Sequence, residues 1–362
     1  DYSKDNMPLK PKHFLPVSIK GFKDGDFAMI YGYPGGTNRY ETSYGIKLKN
    51  EIENPSLVGL RDMRLKYMYA EMIKDPAVKL KLADNYAGVA NYWKFFDGET
   101  KQLVKFNTYA QKQNYENKFT AWAKGKPDYE TLMAEYAQNY ATWTPYSKLR
   151  QYINEGVAGS PLIAAAAGLF SLEDKLLKNN TPAADLKKAT DAATTNRTAF
   201  LEHEDLPSDE KILAAVCQMF YNDVDKNQHP VGFYEGLKSS YGSLSDEATY
   251  KKWAHDVFTK TMMIDDTKWN AFVANPDGAV LQADPAFSFA SAFFKNYNTK
   301  YAPLYTAFVS RNNELGRSYM KGIMEMNPAA VNKMYPDANF SMRVSYGNVK
   351  SYRPRDAVFY DY

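Results

Sequence analysis

The period of the apolar positions changes twice along the chain. Residues 26–33, DFAMIYGY, gather Phe, Met, Ile and Tyr behind an Asp. Aromatic and β-branched residues suit a pleated surface, so this run predicts a buried strand. Pro34-Gly35-Gly36-Thr37-Asn38 predicts a turn, since Pro presets φ and the glycines admit angles other residues avoid. Residues 14–19 and 43–49 read as two further short strands. Beyond them, for about 290 residues, almost every segment reads as helix. Strand-like sequence returns at Asn339, where Phe340, Met342, Val344 and Tyr346 alternate with Ser341, Arg343 and Ser345. That is the period of a half-exposed strand. Gly347-Asn348 then suits a turn, with residues 349–353 pairing back as a hairpin.

A recurring device punctuates the helical stretch. Asn54-Pro55, Asp75-Pro76, Ser160-Pro161, Thr181-Pro182 and Asp284-Pro285 each read as a capping side chain followed by Pro, whose missing N–H costs nothing in a first turn. Ser208 and Ser245 read as further caps, followed by acidic residues that complement the helix dipole. Roughly ten helices are predicted. Their spacing is irregular and no repeat signature recurs, which favours a globular bundle over a solenoid.

The helix opening at Pro76 has the clearest periodicity. Leu82, Tyr86, Val89, Trp93 and Phe96 step by four, three, four and three, giving one apolar face. The opposite face carries Asp84, Ala87, Gly88, Asn91 and Phe95. Gly88 costs about 1 kcal/mol relative to Ala inside a helix. Small residues beside polar ones leave room for either a neighbouring helix or a ligand. The expected fold class is therefore mainly α: a large irregular helical bundle over residues 51–334, inserted in a β domain that contributes strand segments at 1–50 and 335–362.

Composition narrows the class without naming a chemistry. With 362 residues, 44% hydrophobic and 24% charged, the chain can bury a large core. The 29 tyrosines suit either a peptide- or sugar-binding surface or packing between amphipathic helices, and packing is the commoner cause. A net charge of +3 gives no argument for nucleic acid or an anionic membrane. No apolar run approaches the roughly 18 residues of a membrane span. The single cysteine, Cys217, lies in LAAVCQMF and reads as a small core residue, so no internal disulfide can form. The chain opens on DYSKDN and stops on DAVFYDY, which leads to the expectation of a segment of a longer protein.

Candidate chemistry is sparse. His13, His203, His229 and His255 form no HExxH or paired-ligand spacing, and no metal or cofactor is expected. Asp223, Asp225 and Asn227 resemble the start of a calcium loop, but Gln228 and Tyr234 stand where the loop needs Gly and Glu. Gly32–Gly36 lacks the Lys-Ser/Thr of a phosphate loop. Ser160, in AGSP, is better read as a helix cap than as a nucleophile. No nucleophile, base and orienting group assemble from these residues.

Three motifs carry a resemblance: GYPGGTNRYETS at 32–43, NYWK at 91–94, and MRVSYGNVKSYRPRDAV at 342–358. The chain resembles the central part of the bacterial dipeptidyl-peptidase 7 and 11 family of serine exopeptidases. The resemblance implies a trypsin-like double β-barrel with an inserted helical domain that caps the cleft and helps hold the substrate's free N-terminus. It implies that the catalytic His, Asp and Ser lie outside these 362 residues, so that this segment alone is inactive. Asn91, in the NYWK context, takes the place of the asparagine that binds the substrate α-amine, and the turn around Pro34 and Arg39 is read as structural. The family also implies oligopeptide substrates, a homodimeric parent enzyme and a periplasmic or secreted location. The competing reading is a non-catalytic, Tyr-rich binding protein for sugars or peptides.

Overall fold

The structure is a computed structural model, and it describes residues 3–178 and 180–361. Residues 1, 2, 179 and 362 lie outside them. The chain divides into two compact units, one built from its two ends (up to Tyr40 and from Lys333) and one from Glu41–Asn332. It is mostly helical, with a few short strands.

In the unit of the two ends, β1 (Phe27–Gly32) forms where the aromatic run predicts a strand. It is exposed rather than buried: Phe27, Ile30 and Tyr31 are all more than half accessible. Its antiparallel partner is β2 (Arg343–Asn348), in the register Phe27↔Asn348 to Gly32↔Arg343. The predicted turn at Gly347-Asn348 is thus part of the strand, facing Ala28 and Phe27. Residues 349–353 do not pair back on it. Instead β3 (Tyr352–Arg355) pairs with β4 (Val358–Tyr360). A two-stranded sheet has no second layer of its own to cover either face. Residues 14–19 form no strand.

The glycine-rich turn is tied to the returning chain by one carboxylate. Thr37 Oγ1 and the Arg39 N–H both donate to Asp337 Oδ1, at 2.6 and 2.8 Å. The Ala338 N–H donates to Thr37 Oγ1, and the Arg39 guanidinium lies 4.3 Å over the Tyr335 ring. The Phe340 N–H donates to the Pro34 carbonyl, so the turn has a structural explanation in full.

The second unit contains fifteen α-helical segments among the described residues, more than the ten expected because several are short. The first five are α1 (Ser43–Leu48), α2 (Asn54–Met72), α3 (Pro76–Lys105), α4 (Thr108–Ala123) and α5 (Leu132–Gln151). Next come α6 (Pro161–Ala167), α7 (Phe170–Leu177), α8 (Ala183–His203), α9 (Leu206–Asp223) and α10 (Phe233–Tyr241). The last five are α11 (Glu247–Lys260), α12 (Asp266–Ala274), α13 (Gly278–Ala283), α14 (Pro285–Lys300) and α15 (Ala302–Met326).

The expected strand at 43–49 is helix. Its alternation is too short to separate period two from period 3.6, and tertiary capping decides the outcome. Glu116, reaching over from α4, accepts the Ser43 N–H at 2.6 Å and the Ser43 hydroxyl at 2.5 Å. A carboxylate there satisfies an orphan donor and complements the helix dipole. The helix then runs on through a π-helical turn, Lys49–Glu53, into α2. Asn54 is therefore interior and caps nothing; its amide donates to Glu99 and Thr100 of α3 at 2.9 and 3.0 Å. Pro55 follows directly on the wide π turn, which absorbs a residue unable to donate.

Aspartate does most of the capping. Asp75, Asp205, Asp246 and Asp284 accept first-turn N–H groups of α3, α9, α11 and α14. The Asp-Pro starts at Pro76 and Pro285 thus form as read. Ser208 and Ser245 do not cap, because a neighbouring aspartate reaches the same donors better. Thr181 bonds the Lys175 carbonyl instead of capping α8, and Ser160 bonds Asp209.

The core is centred on α2, packed between α3 and α9, with α9 also against α11 and α6 against α14. Leu60, Leu213, Val216, Phe287 and Phe293 are fully buried, as is Cys217, whose thiol burial pushes up out of the reactive range. Aromatics pack edge to face between helices: Phe220 and Phe293 lie 4.9 Å apart, and Phe233 lies 5.0 Å from Phe293. The tyrosines Tyr136, Tyr140, Tyr152, Tyr234 and Tyr250 are buried here, so much of the tyrosine excess serves packing. Gly322 marks a close approach of α15 to α4, since a Cβ there would stand 2.7 Å from the Phe119 ring.

Candidate functional site

α3 presents the two faces that its periodicity predicts. Leu82 and Val89 are buried, and Tyr86, Trp93 and Phe96 are half-buried beside them. Asp84, Ala87, Gly88, Asn91 and Phe95 are exposed. A Cβ built on Gly88 would meet nothing within 4 Å, so no helix of this unit packs against that stretch. Within this unit the small, polar face is open at Gly88. Asn91 stands in it, flanked by the exposed rings of Tyr92 and Phe95.

The Asn91 turn is held from behind by charge. From α2, Arg61 Nη1 donates to the Val89 carbonyl at 3.3 Å and Nη2 to Glu155 Oε1 at 2.5 Å. Its guanidinium carbon lies 5.4 Å from the Tyr92 ring centroid and 5.8 Å from that of Phe96. Arg64, one turn further along α2, stands 3.7 Å from the other oxygen of Glu155. Burial lowers the pKa of Arg64 from its ordinary value, and the charge of Glu155 opposes that shift. These groups were not singled out from the sequence. The available signal was the pair Arg61 and Arg64, three apart in a helix stretch that also carries Leu57, Leu65 and Met68 on that side.

Below Arg64 lie two carboxyls whose pKa values burial raises. Asp209 is pushed up to about 7 although the Ser160 hydroxyl and the Leu162 N–H both favour its charged form. Glu204 is likewise pushed up to about 7, with Arg64 and Lys81 opposing the shift. Ser160 is fully buried and donates to Asp209 at 2.7 Å. A hydroxyl with no access to solvent and a carboxylate for a partner cannot reach a substrate carbonyl, so Ser160 is structural.

The histidines also have local explanations. His255 Nδ1 pairs with Glu210 at 3.2 Å on the surface, and His229 Nε2 bonds the Val224 carbonyl at 3.0 Å. Asp225 caps a single 3-10 turn, and Asp223 accepts the Tyr152 hydroxyl at 2.5 Å, so neither is arranged to hold calcium. No group of three His, Cys, Asp or Glu side chains suited to a metal occurs among the described residues. No single described helix is long and apolar enough to cross a membrane.

The chain belongs to the Peptidase S46 family, whose sequence pattern matches residues 1–362. It is 34% identical over 368 residues to an Asp/Glu-specific dipeptidyl-peptidase of Flavobacterium psychrophilum, covering 99% of this chain and 49% of that protein. It is 28% identical over 372 residues to dipeptidyl-peptidase 7 of Phocaeicola vulgatus, covering all of this chain and 49% of the relative. The chain thus spans about half the length of these relatives. The crystal structure of Porphyromonas endodontalis DPP11 in complex with the dipeptide Arg-Glu superimposes with a TM-score of 0.79 at 24% identity, over 99% of this chain and 50% of that one. That likeness shows the shared fold.

Proposed function

We propose that this chain is the helical portion of a serine-type dipeptidyl aminopeptidase that removes dipeptides from the free N-terminus of oligopeptides. In this reading residues 51–334 form a lid inserted in a trypsin-like barrel. The end segments 1–50 and 335–362 are strands of that barrel, and the catalytic triad lies outside the chain. The observation that carries it is Asn91, exposed on an open helix face in a chain of the S46 family. Its amide carbonyl accepts a hydrogen bond from the substrate ammonium without adding charge. By resemblance, the pocket for the residue before the cut lies outside this chain. By resemblance the parent enzyme is a homodimer of the periplasm or is secreted.

The separation of lid from chemistry is tested with the purified 362-residue chain and a dipeptidyl chromogenic substrate. No release above buffer is expected. Release that survives further purification and is blocked by a serine-directed inhibitor would overturn it.

A further inference from the structure

We infer that Arg61 is a positioning residue that fixes the α3 turn carrying Asn91, an inference that rests on Asn91 being the amine acceptor. Its side chain is only 11% exposed and spans the gap between α2 and α3. Its three engagements with α3 fall on both sides of Asn91. It bonds the carbonyl two residues before, faces the ring one residue after, and faces the ring five residues after. Both rings lie within about 6 Å of the cation, the range in which the ring face attracts it. The Val89 carbonyl already stands in the helical ladder, and Arg61 takes its second lone pair.

This turn needs an external support. Gly88 lacks a Cβ and has open space beside it, so no side chain at that position steadies the backbone ahead of Asn91. Asn91 itself is exposed. Arg61 in turn is held by Glu155, in the π-helical turn Tyr152–Gly156, and Glu155 is shared with Arg64. The line from Glu155 through Arg61 to Val89 thus joins the core of the unit to the open face. The guanidinium holds its donors in a rigid plane wide enough to reach a carboxylate and a carbonyl on different elements; a lysine ammonium has three donors but gathers them at one flexible point.

The test is Arg61→Lys, which keeps a cation opposite Glu155 so that the fold is retained, with Glu155→Gln as a second variant that loosens the same fork. Amide hydrogen exchange is measured on the 362-residue chain. Both variants are expected to speed exchange at residues 88–95, by about ten-fold for Arg61→Lys, with the amides of α9 unchanged. Unchanged exchange at 88–95 in both variants overturns the inference, whatever the kinetics of Asn91. In the full-length peptidase, Arg61→Lys is expected to lower kcat/KM on a free-amine dipeptidyl substrate about ten-fold, and to add nothing further on an Asn91→Ala background. Losses that multiply independently also overturn it. If Asn91→Ala alone leaves kcat/KM unchanged, the amine-binding reading fails and the role of Arg61 in the reaction fails with it, while the exchange result still decides whether Arg61 holds the turn.

Discussion

The Ser160 hydroxyl donates to Asp209 Oδ1 at 2.7 Å in the interior of the helical unit, and the Leu162 N–H donates to Oδ2 at 2.8 Å. One carboxyl from α9 thereby fixes the start of α6, which has no cap of its own. Burial is the larger influence on Asp209 and holds its pKa at about 7, well above the ordinary value for aspartate. The folded state therefore binds a proton that the unfolded state has released between about pH 4 and pH 7. The contribution to stability is complete below the unfolded pKa and is lost as pH rises through about 7. Denaturant unfolding of the chain should show this component falling by about 2–4 kcal/mol across that window and flat above it. Glu204, also raised to about 7, acts in the same sense. Asp209→Asn should flatten the slope. The amide keeps an oxygen that can accept the Leu162 N–H and a nitrogen that can donate to the Ser160 hydroxyl, so the slope, which reports the lost titration, is the quantity to compare. A slope unchanged in the variant would remove Asp209 from this role.

The Glu116 cap on α1 gives a second prediction. Glu116 is buried and both its oxygens are engaged by Ser43. Glu116→Ala leaves the first N–H of a helix that runs on into α2 without its acceptor, and should cost about 1.5–3 kcal/mol, the range for bonds to charged groups. Glu116→Gln should recover part of that through its carbonyl. Equal stability of the wild type and the alanine variant in denaturant titrations would show that the cap contributes nothing.

Gly322 yields a prediction of opposite kind, an addition rather than a deletion. A Cβ there meets the ring of Phe119, itself fully buried and in contact with Tyr319. Gly322→Ala should destabilise by about 1–3 kcal/mol despite the better helix propensity of Ala, because the packed ring cannot move aside. The propensity term alone, about 1 kcal/mol in favour of Ala, predicts stabilisation. The sign of the measured change decides between them.

The strands from the two ends should be the least protected part of the backbone. Among the described residues β1 and β2 pair with no other strand and their side chains are mostly exposed, whereas α9 and α14 each bury a full face. Hydrogen exchange on the isolated chain should be fast across 343–348 and slow in α9 and α14. Equal protection in both would contradict this.

The sequence was most informative where one physical signal dominated. The two faces of α3 were legible because apolar residues recur at helical spacing over four turns, and Asn91 fell on the open side for the same reason. Asp75 and Asp284 were legible as caps because a carboxylate and a following Pro act within one turn. Ser43 was not: its helix depends on Glu116, 73 positions away, and nothing local distinguishes that stretch from a strand. Asn54 and Ser160 failed likewise, each taken by a distant partner, Glu99 or Asp209, in place of the local capping bond. The exposure of β1 was missed because burial is set by what covers a strand and not by its composition. Glu155 carries no sequence signal, and the spacing of Arg61 with Arg64 is a weak one, because charged residues usually face solvent and the fold turns this pair inward.

The central claim is that Asn91 receives the substrate's free amine. It is tested most directly by kcat/KM of Asn91→Ala in the full-length peptidase, on a dipeptidyl substrate with a free N-terminus. Asn91 lies opposite Leu82 and Val89, so its removal opens no core cavity and Tm should stay close to that of the wild type. Loss of a hydrogen bond to a charged group, about 1.5–3 kcal/mol, corresponds to a fall of roughly ten- to hundred-fold. An unchanged kcat/KM in the folded variant would contradict the account.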